Sequence, residues 1–222
     1  MNRFTLFLLF GTIVMFVPIF LATKYLGMKR WKSIPVTLLL TAAGTAGAFA
    51  MYYFENAKFG GISFYGSVFL VPVVFSILPP FLKIPYAKLM DLSAIGECIM
   101  LAMMKIYCLT GGCCLGRVLF ELSDGTVIRF PSRIVEMATA IVLFFIFFRW
   151  AVRREKYGEL YIWYLILYGS TRFVLNFFRE VWQTWNGTIP MGTIWSVCAV
   201  AIGIAALKII GKRGKGTASA GS

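Results

Sequence analysis

Lys105-Ile106-Tyr107-Cys108-Leu109-Thr110-Gly111-Gly112-Cys113-Cys114-Leu115-Gly116-Arg117 interrupts a chain otherwise made of long apolar runs. Three glycines, three cysteines and two cations in thirteen residues are more than a turn needs. Of the 222 residues, 59% are hydrophobic and 14% charged, and the mean hydropathy is +0.80. A soluble domain is only about 45–50% apolar. The chain is therefore predicted to be an all-α integral membrane protein: a bundle of about seven transmembrane helices with the Gly/Cys-rich break at its outer face.

Seven stretches meet the requirement of about 20 apolar residues per bilayer crossing. They are residues 4–22, 34–54, 62–82, 89–104, 134–148, 160–178 and 191–210. The fourth and fifth are short, and the fourth carries Asp91 and Glu97. Together with the break they read as a broken helix and re-entrant segment. The first run is followed by Lys24-Tyr25-Leu26 where a cleavage site would have small residues, so it is expected to remain as a helix. Residues 1–210 form one polytopic membrane domain on this reading, and 211–222 a disordered basic cytoplasmic tail. The longest polar connection, 118–132, is too short for a soluble domain.

The net charge of +13 does not point to nucleic acid, because the cations fall in short clusters between apolar runs. Fourteen lie on one side of the predicted spans and seven on the other, with Arg172 inside the sixth span. Since cytoplasmic loops carry the excess of Lys and Arg, the amino terminus is predicted outside and the carboxyl terminus inside. Lys105, Arg117, Arg129 and Arg133 then sit at the outer face against that rule. Phosphate headgroups or a bound anionic lipid are the expected partners, with simple snorkelling to the interface as the alternative.

Gly111, Gly112 and Gly116 permit close approach of backbone to backbone or ligand. The chain contains no histidine, and Cys113-Cys114 lacks C-x-x-C spacing, so neither a metal nor another cofactor is expected. The cysteines read as small filler in a close-packed break, with a redox pair as the alternative. Arg172, Asn176 and Arg179 fall at i, i+4 and i+7, which predicts one shared helical face. An arginine inside a membrane helix costs about 2.5–3.5 kcal/mol and must have a partner. Lipid phosphate is the expected one, ahead of Glu136 or Glu97. Arg133 and Glu136, three residues apart, are expected to pair locally.

Gly60-Gly61-Ile62-Ser63-Phe64-Tyr65-Gly66, the stretch quoted above, Pro131-Ser132-Arg133-Ile134-Val135-Glu136, Arg172-Phe173-Val174-Leu175-Asn176-Phe177-Phe178-Arg179 and Met191-Gly192 occur in that order. They resemble the ordered motifs of the prolipoprotein diacylglyceryl transferases, over roughly residues 60–203. The resemblance implies an enzyme of the bacterial cytoplasmic (inner) membrane. It would move the diacylglyceryl group of phosphatidylglycerol, or of another anionic phospholipid, to the thiol of a lipobox cysteine in a prolipoprotein, releasing glycerol phosphate and using no cofactor. By the same resemblance Lys105, Arg172 and Tyr65 are the expected catalytic residues. Arg179, Arg117, Gly116, Cys108, Asn176 and Glu136 are the expected substrate-binding ones.

The motifs depart from the family pattern at five places. Lys105 stands for an arginine, which keeps the charge and loses the bidentate fork. Tyr65 stands for a histidine, and a phenol of pKa about 10 is a poor base for a thiol of about 8.5. Cys108, Cys113 and Asn176 stand for an asparagine, an acidic residue and a glutamate. Two further functions therefore stay open: a non-catalytic lipid-binding or scaffolding protein of the same fold, and a membrane thiol-disulfide protein.

Overall fold

A computed structural model describes residues 3–77, 79–153, 157–180, 184–185 and 189–219. The apolar runs become α1 (Arg3–Tyr25), α2 (Ser33–Asn56), α3 (Phe64–Ile77) with the single turn α4 (Pro79–Leu82), α5 (Tyr86–Gly111), α6 (Ser132–Arg153), α7 (Leu160–Asn176) and α8 (Met191–Ser219). In α1, α2, α5, α6 and α8, length and composition suffice to cross a membrane. Helix α3, of 14 residues, is a shorter apolar helix, and α7 has 17 residues. The chain is a multi-pass membrane protein, essentially all-α as expected.

Helix α5 is the axis of the bundle. Two thirds of its most apolar window (67%) is buried inside the protein, against 17% for α1 and for α8. The outward faces of α1 and α8 are apolar, with Leu9, Phe10, Ile13 and Val17 exposed on one and Val197 and Ile202 on the other, as a lipid-facing surface requires. Helices α2 and α3 approach most closely through glycine: a Cβ on Gly66 would run into the carbonyl of Gly47, and the reverse also holds. Small residues at such a crossing let backbones touch where burial against lipid gives no driving force.

The structure adds to or departs from the sequence reading at four places. First, α5 runs unbroken for 26 residues through Asp91 and Glu97, so there is no re-entrant segment there. Asp91 does not interrupt it because its carboxylate accepts hydrogen bonds from the backbone N–H of Gly158 (2.8 Å) and Leu160 (3.1 Å), tying the start of α7 to α5. Second, 118–132 is not a plain connection. Strands β1 (Val118–Glu121) and β2 (Val127–Arg129) form an antiparallel hairpin closed by a turn at Gly125, and β3 (Thr184–Trp185) pairs with β4 (Ile189–Pro190). Third, α7 ends at Asn176, so Arg179 lies beyond it and shares no helical face with Arg172. Fourth, α8 continues past Ile210 to Ser219, taking in most of the stretch read as a disordered tail; residues 220–222 lie outside the described residues.

Arg179 is instead placed by a narrow ribbon. Arg117 N–H donates to Phe178 O (2.9 Å), Glu180 N–H to Leu115 O (3.1 Å) and Phe130 N–H to Arg117 O (3.0 Å), so 115–117 is flanked by 178–180 and by the end of the hairpin. Gly116 sits at the crossing, and a Cβ there would collide with the carbonyl of Phe130. Any side chain at 116 would push the ribbon apart.

Candidate functional site

Glu136, one turn into α6 and 2% exposed, is the hub at the break end of the bundle. Three cations converge on its carboxylate. Lys105 comes from the last turns of α5 and pairs with Oε2, Arg172 comes from α7 and pairs with Oε1, and Arg179 reaches the same Oε1 from the ribbon at 3.1 Å. All three side chains are largely buried, Arg172 being the most exposed at 15%. One carboxylate against three cations leaves a net charge of two positives away from water, an arrangement that calls for an anion. Arg172 Nε is buried with no hydrogen-bond partner among the described residues and remains a donor for one. Thr139, Tyr168 and Thr171 line a small cavity with Arg172 and Glu136.

Two pairings differ from the sequence expectation. Arg172 meets a protein carboxylate, Glu136, although lipid phosphate was the expected partner; helix packing brings 136 and 172 together across the bundle. Arg133 does not pair with Glu136. Its Nη1 donates to the carbonyl of Cys108 at 3.0 Å and caps the end of α5, where exposed carbonyls favour a cation. Arg129 pairs with Glu180 at 2.7 Å. Of the four cations that run against the topology rule, Lys105, Arg129 and Arg133 thus have protein partners.

The remaining predicted residues divide. Gly116 holds the ribbon that carries Arg179. Arg117 is exposed and contributes backbone hydrogen bonds, standing apart from the cluster. Asn176 faces the start of α8, 3.4 Å from Thr193 Oγ1 and in contact with Gly192, not the cations. Tyr65 is 3% exposed, with its hydroxyl 2.6 Å from Ser196 Oγ. Its ring stacks on Phe69 and lies 5.7 Å from Tyr168, so it touches the cavity wall through Tyr168. Sequence reasoning missed Tyr168, although Tyr161, Tyr164 and Tyr168 fall at i, i+3 and i+7 and are all buried.

Beside the cations the break folds back on itself. Gly112 ends α5 in the left-handed region (φ 69°), and Cys114 is also left-handed at φ 58°, which for a residue with a Cβ costs on the order of 1–3 kcal/mol. That turn, held by Ser132 Oγ on Cys114 O (3.0 Å), returns the Cys114 sulfur to 3.8 Å from Cys108 Sγ. The sulfurs of Cys108, Cys113 and Cys114 all lie within 4.8 Å of one another. A hydrogen bond from the Cys108 thiol pulls the Cys114 thiol below its ordinary range, helped by Lys105 and Arg179. Elsewhere in the bundle, Phe4, Phe7, Met100, Met103, Met104 and Tyr107 line an apolar pocket of about 590 Å³ including its open mouth, between α1, α2, α3 and α5.

The fold and the site define a multi-pass helical membrane protein with a buried, net-cationic cluster at one end of its bundle. The chain is, more narrowly, a member of the prolipoprotein diacylglyceryl transferase family, whose model matches residues 1–209, beyond the 60–203 over which motifs are visible. It is similar to the phosphatidylglycerol–prolipoprotein diacylglyceryl transferase of Wolinella succinogenes, 31% identical over 174 residues. That match covers 72% of this chain and 64% of the relative, so the chain matches just under two thirds of the relative's length.

Proposed function

We propose that this protein transfers the diacylglyceryl group of phosphatidylglycerol to the cysteine thiol of a lipoprotein precursor. On this reading residues 1–210 are a single polytopic domain in the bacterial cytoplasmic membrane, with the amino terminus outside and the carboxyl terminus inside. The observation that carries the reading is the three-to-one meeting of Lys105, Arg172 and Arg179 on Glu136. The donor is a phosphodiester anion. As the bond from glycerol carbon to phosphate oxygen breaks, negative charge grows on the departing glycerol phosphate, and preset guanidinium and ammonium groups stabilise that growth. Glu136 holds the three cations in place beforehand, so little rearrangement is needed when the charge develops. The apolar pocket along α5 suits an acyl chain of the donor.

The test is incubation of the purified protein with phosphatidylglycerol labelled in its diacylglyceryl part and a lipobox peptide. The expected result is a thioether-linked product and an equivalent of glycerol phosphate, both lost in Arg172→Gln. Absence of transfer by the native chain overturns the reading. A second reading, lipid binding without transfer, is favoured by Tyr65: the residue in the place of the family's histidine is buried against Ser196. It predicts that phosphatidylglycerol raises the melting temperature of the native protein with no product formed.

A further inference from the structure

We propose that Cys108, Cys113 and Cys114 form a zinc site with three thiolate ligands and a fourth position open to the thiol of the acceptor; this rests on the transferase reading above. The sequence argued against a metal because adjacent cysteines lack the usual spacing. The backbone supplies what the spacing lacks, since left-handed Gly112 and Cys114 fold the chain so that three sulfurs from two sides of the break face one another. Zinc–sulfur bonds of about 2.3 Å in a tetrahedron set neighbouring sulfurs about 3.8 Å apart. Cys108 and Cys114 stand at 3.8 Å, and all three sulfurs lie within 4.8 Å. A Cys108–Cys114 disulfide would need that distance to close to about 2 Å and would leave Cys113 without a role.

Among the described residues no fourth Cys, Asp or Glu joins the group, and the chain has no histidine. Three protein ligands with one open position is the pattern of catalytic zinc, whereas structural sites are closed by four. Cys108 is buried and Cys113 exposed, so the group reaches from the bundle interior to the surface where an acceptor arrives. Charge also fits. Three thiolates around Zn²⁺ carry one net negative charge, next to a cluster with two net positives. Lys105 sits one turn before Cys108 on α5, and the backbone of Arg179 pairs with Gly116, two residues after Cys114.

Such a site supplies the ionisation of the acceptor thiol. The chain has no imidazole, Tyr65 is bonded to Ser196 and Glu136 is engaged by three cations, so neither of these two is free to take the proton of a thiol. Coordination would lower the acceptor thiol's pKa so that its proton goes to solvent. The sulfur then uses its electron pair to form the C–S bond to the glyceryl carbon, the C–O bond to phosphate breaks, and glycerol phosphate leaves with the C–O bonding pair. No oxidant or reductant is consumed.

The experiment uses the full chain purified in detergent under reducing conditions. Elemental analysis is expected to give about one zinc per chain. The metal should be lost in Cys113→Ser/Cys114→Ser and retained in Cys98→Ser/Cys198→Ser, whose cysteines lie in other parts of the bundle. Cobalt loading should give tetrahedral visible bands, and a lipobox peptide should strengthen the sulfur-to-cobalt charge-transfer band while its Cys→Ser version does not. A zinc-free native chain, equal zinc in the Cys113/Cys114 double variant, or a cobalt spectrum indifferent to the peptide thiol overturns the proposal. Loading and thiol capture without transfer would sink the transferase function and leave the metal site standing. Transfer by zinc-free protein would do the opposite.

Discussion

Two carboxylates are buried in this bundle to nearly the same degree, Glu136 at 2% and Glu97 at 1% exposure, and their surroundings could hardly differ more. Glu136 is met by three cations from α5, α7 and the ribbon. Glu97, in the middle of α5, accepts one hydrogen bond, from Ser67 Oγ on α3 at 2.6 Å, and its other oxygen has no hydrogen-bond partner among the described residues. Burial of an ionisable group in a membrane helix is therefore a poor guide to function when taken alone. The count and sign of the groups around it carry the information, and at Glu136 that count leaves room for an anion.

The comparison can be broken most directly at its hub. Glu136→Gln leaves Lys105, Arg172 and Arg179 facing one another with no counter-charge, which is expected to cost about 3–5 kcal/mol. Because a phosphate can take the place of the carboxylate, phosphatidylglycerol should raise the melting temperature of this variant more than that of the native chain. A lipid effect that is equal in both would remove the anion from the site. Next in size is Arg172→Lys, which keeps the charge and loses the planar fork. Turnover should fall on the order of tenfold, with phosphatidylglycerol affinity changing less, as separate measurements of kcat and lipid binding would reveal.

On the other side of the comparison the expected effects shrink. Ser67→Ala removes the hydrogen bond to Glu97 and should lower stability by about 1–3 kcal/mol in denaturant or thermal unfolding, with kcat unchanged. Glu97→Gln keeps an acceptor for Ser67 and nearly the same shape, so a stability change of about 1 kcal/mol or less is expected. Loss of transfer in Glu97→Gln at full stability would mean that the two carboxylates share a role, and would undo the contrast drawn here.

The helices were legible in the sequence because a bilayer imposes a length, and the apolar runs state it plainly. The reading failed where one residue was judged without its partners. Asp91 and Glu97 made the fourth span look short, yet α5 runs on because the acids are met from neighbouring elements: Asp91 by the backbone of Gly158 and Leu160, Glu97 by Ser67. Local spacing offered Glu136 to Arg133, three residues away, whereas the fold gives it to Lys105, Arg172 and Arg179 and sends Arg133 to the end of α5. A helical face was drawn through Arg179 because periodicity does not reveal that α7 stops at Asn176. The sulfur cluster was invisible for a related reason: a left-handed Cys114 leaves no mark in composition or spacing. Family resemblance offered Lys105, Glu136, Arg172 and Arg179 among nine expected site residues; helix packing brings these four together and leaves Arg117 and Asn176 apart from them.

The pairing of Lys105 with Glu136 also bears on how the chain enters the membrane as it is made. These residues lie on α5 and α6, consecutive helices joined by the hairpin, and both emerge from synthesis before Arg172 and Arg179 exist. Inserted singly, each charged helix would carry a cost of about 2.5–3.5 kcal/mol at membrane depth. Inserted as a pair, cation and carboxylate neutralise one another, and the two helices can partition as one unit. When α7 and the ribbon arrive, Arg172 and Arg179 add two positive charges to a nearly neutral pair, so the net charge of the cluster is set only after both have emerged.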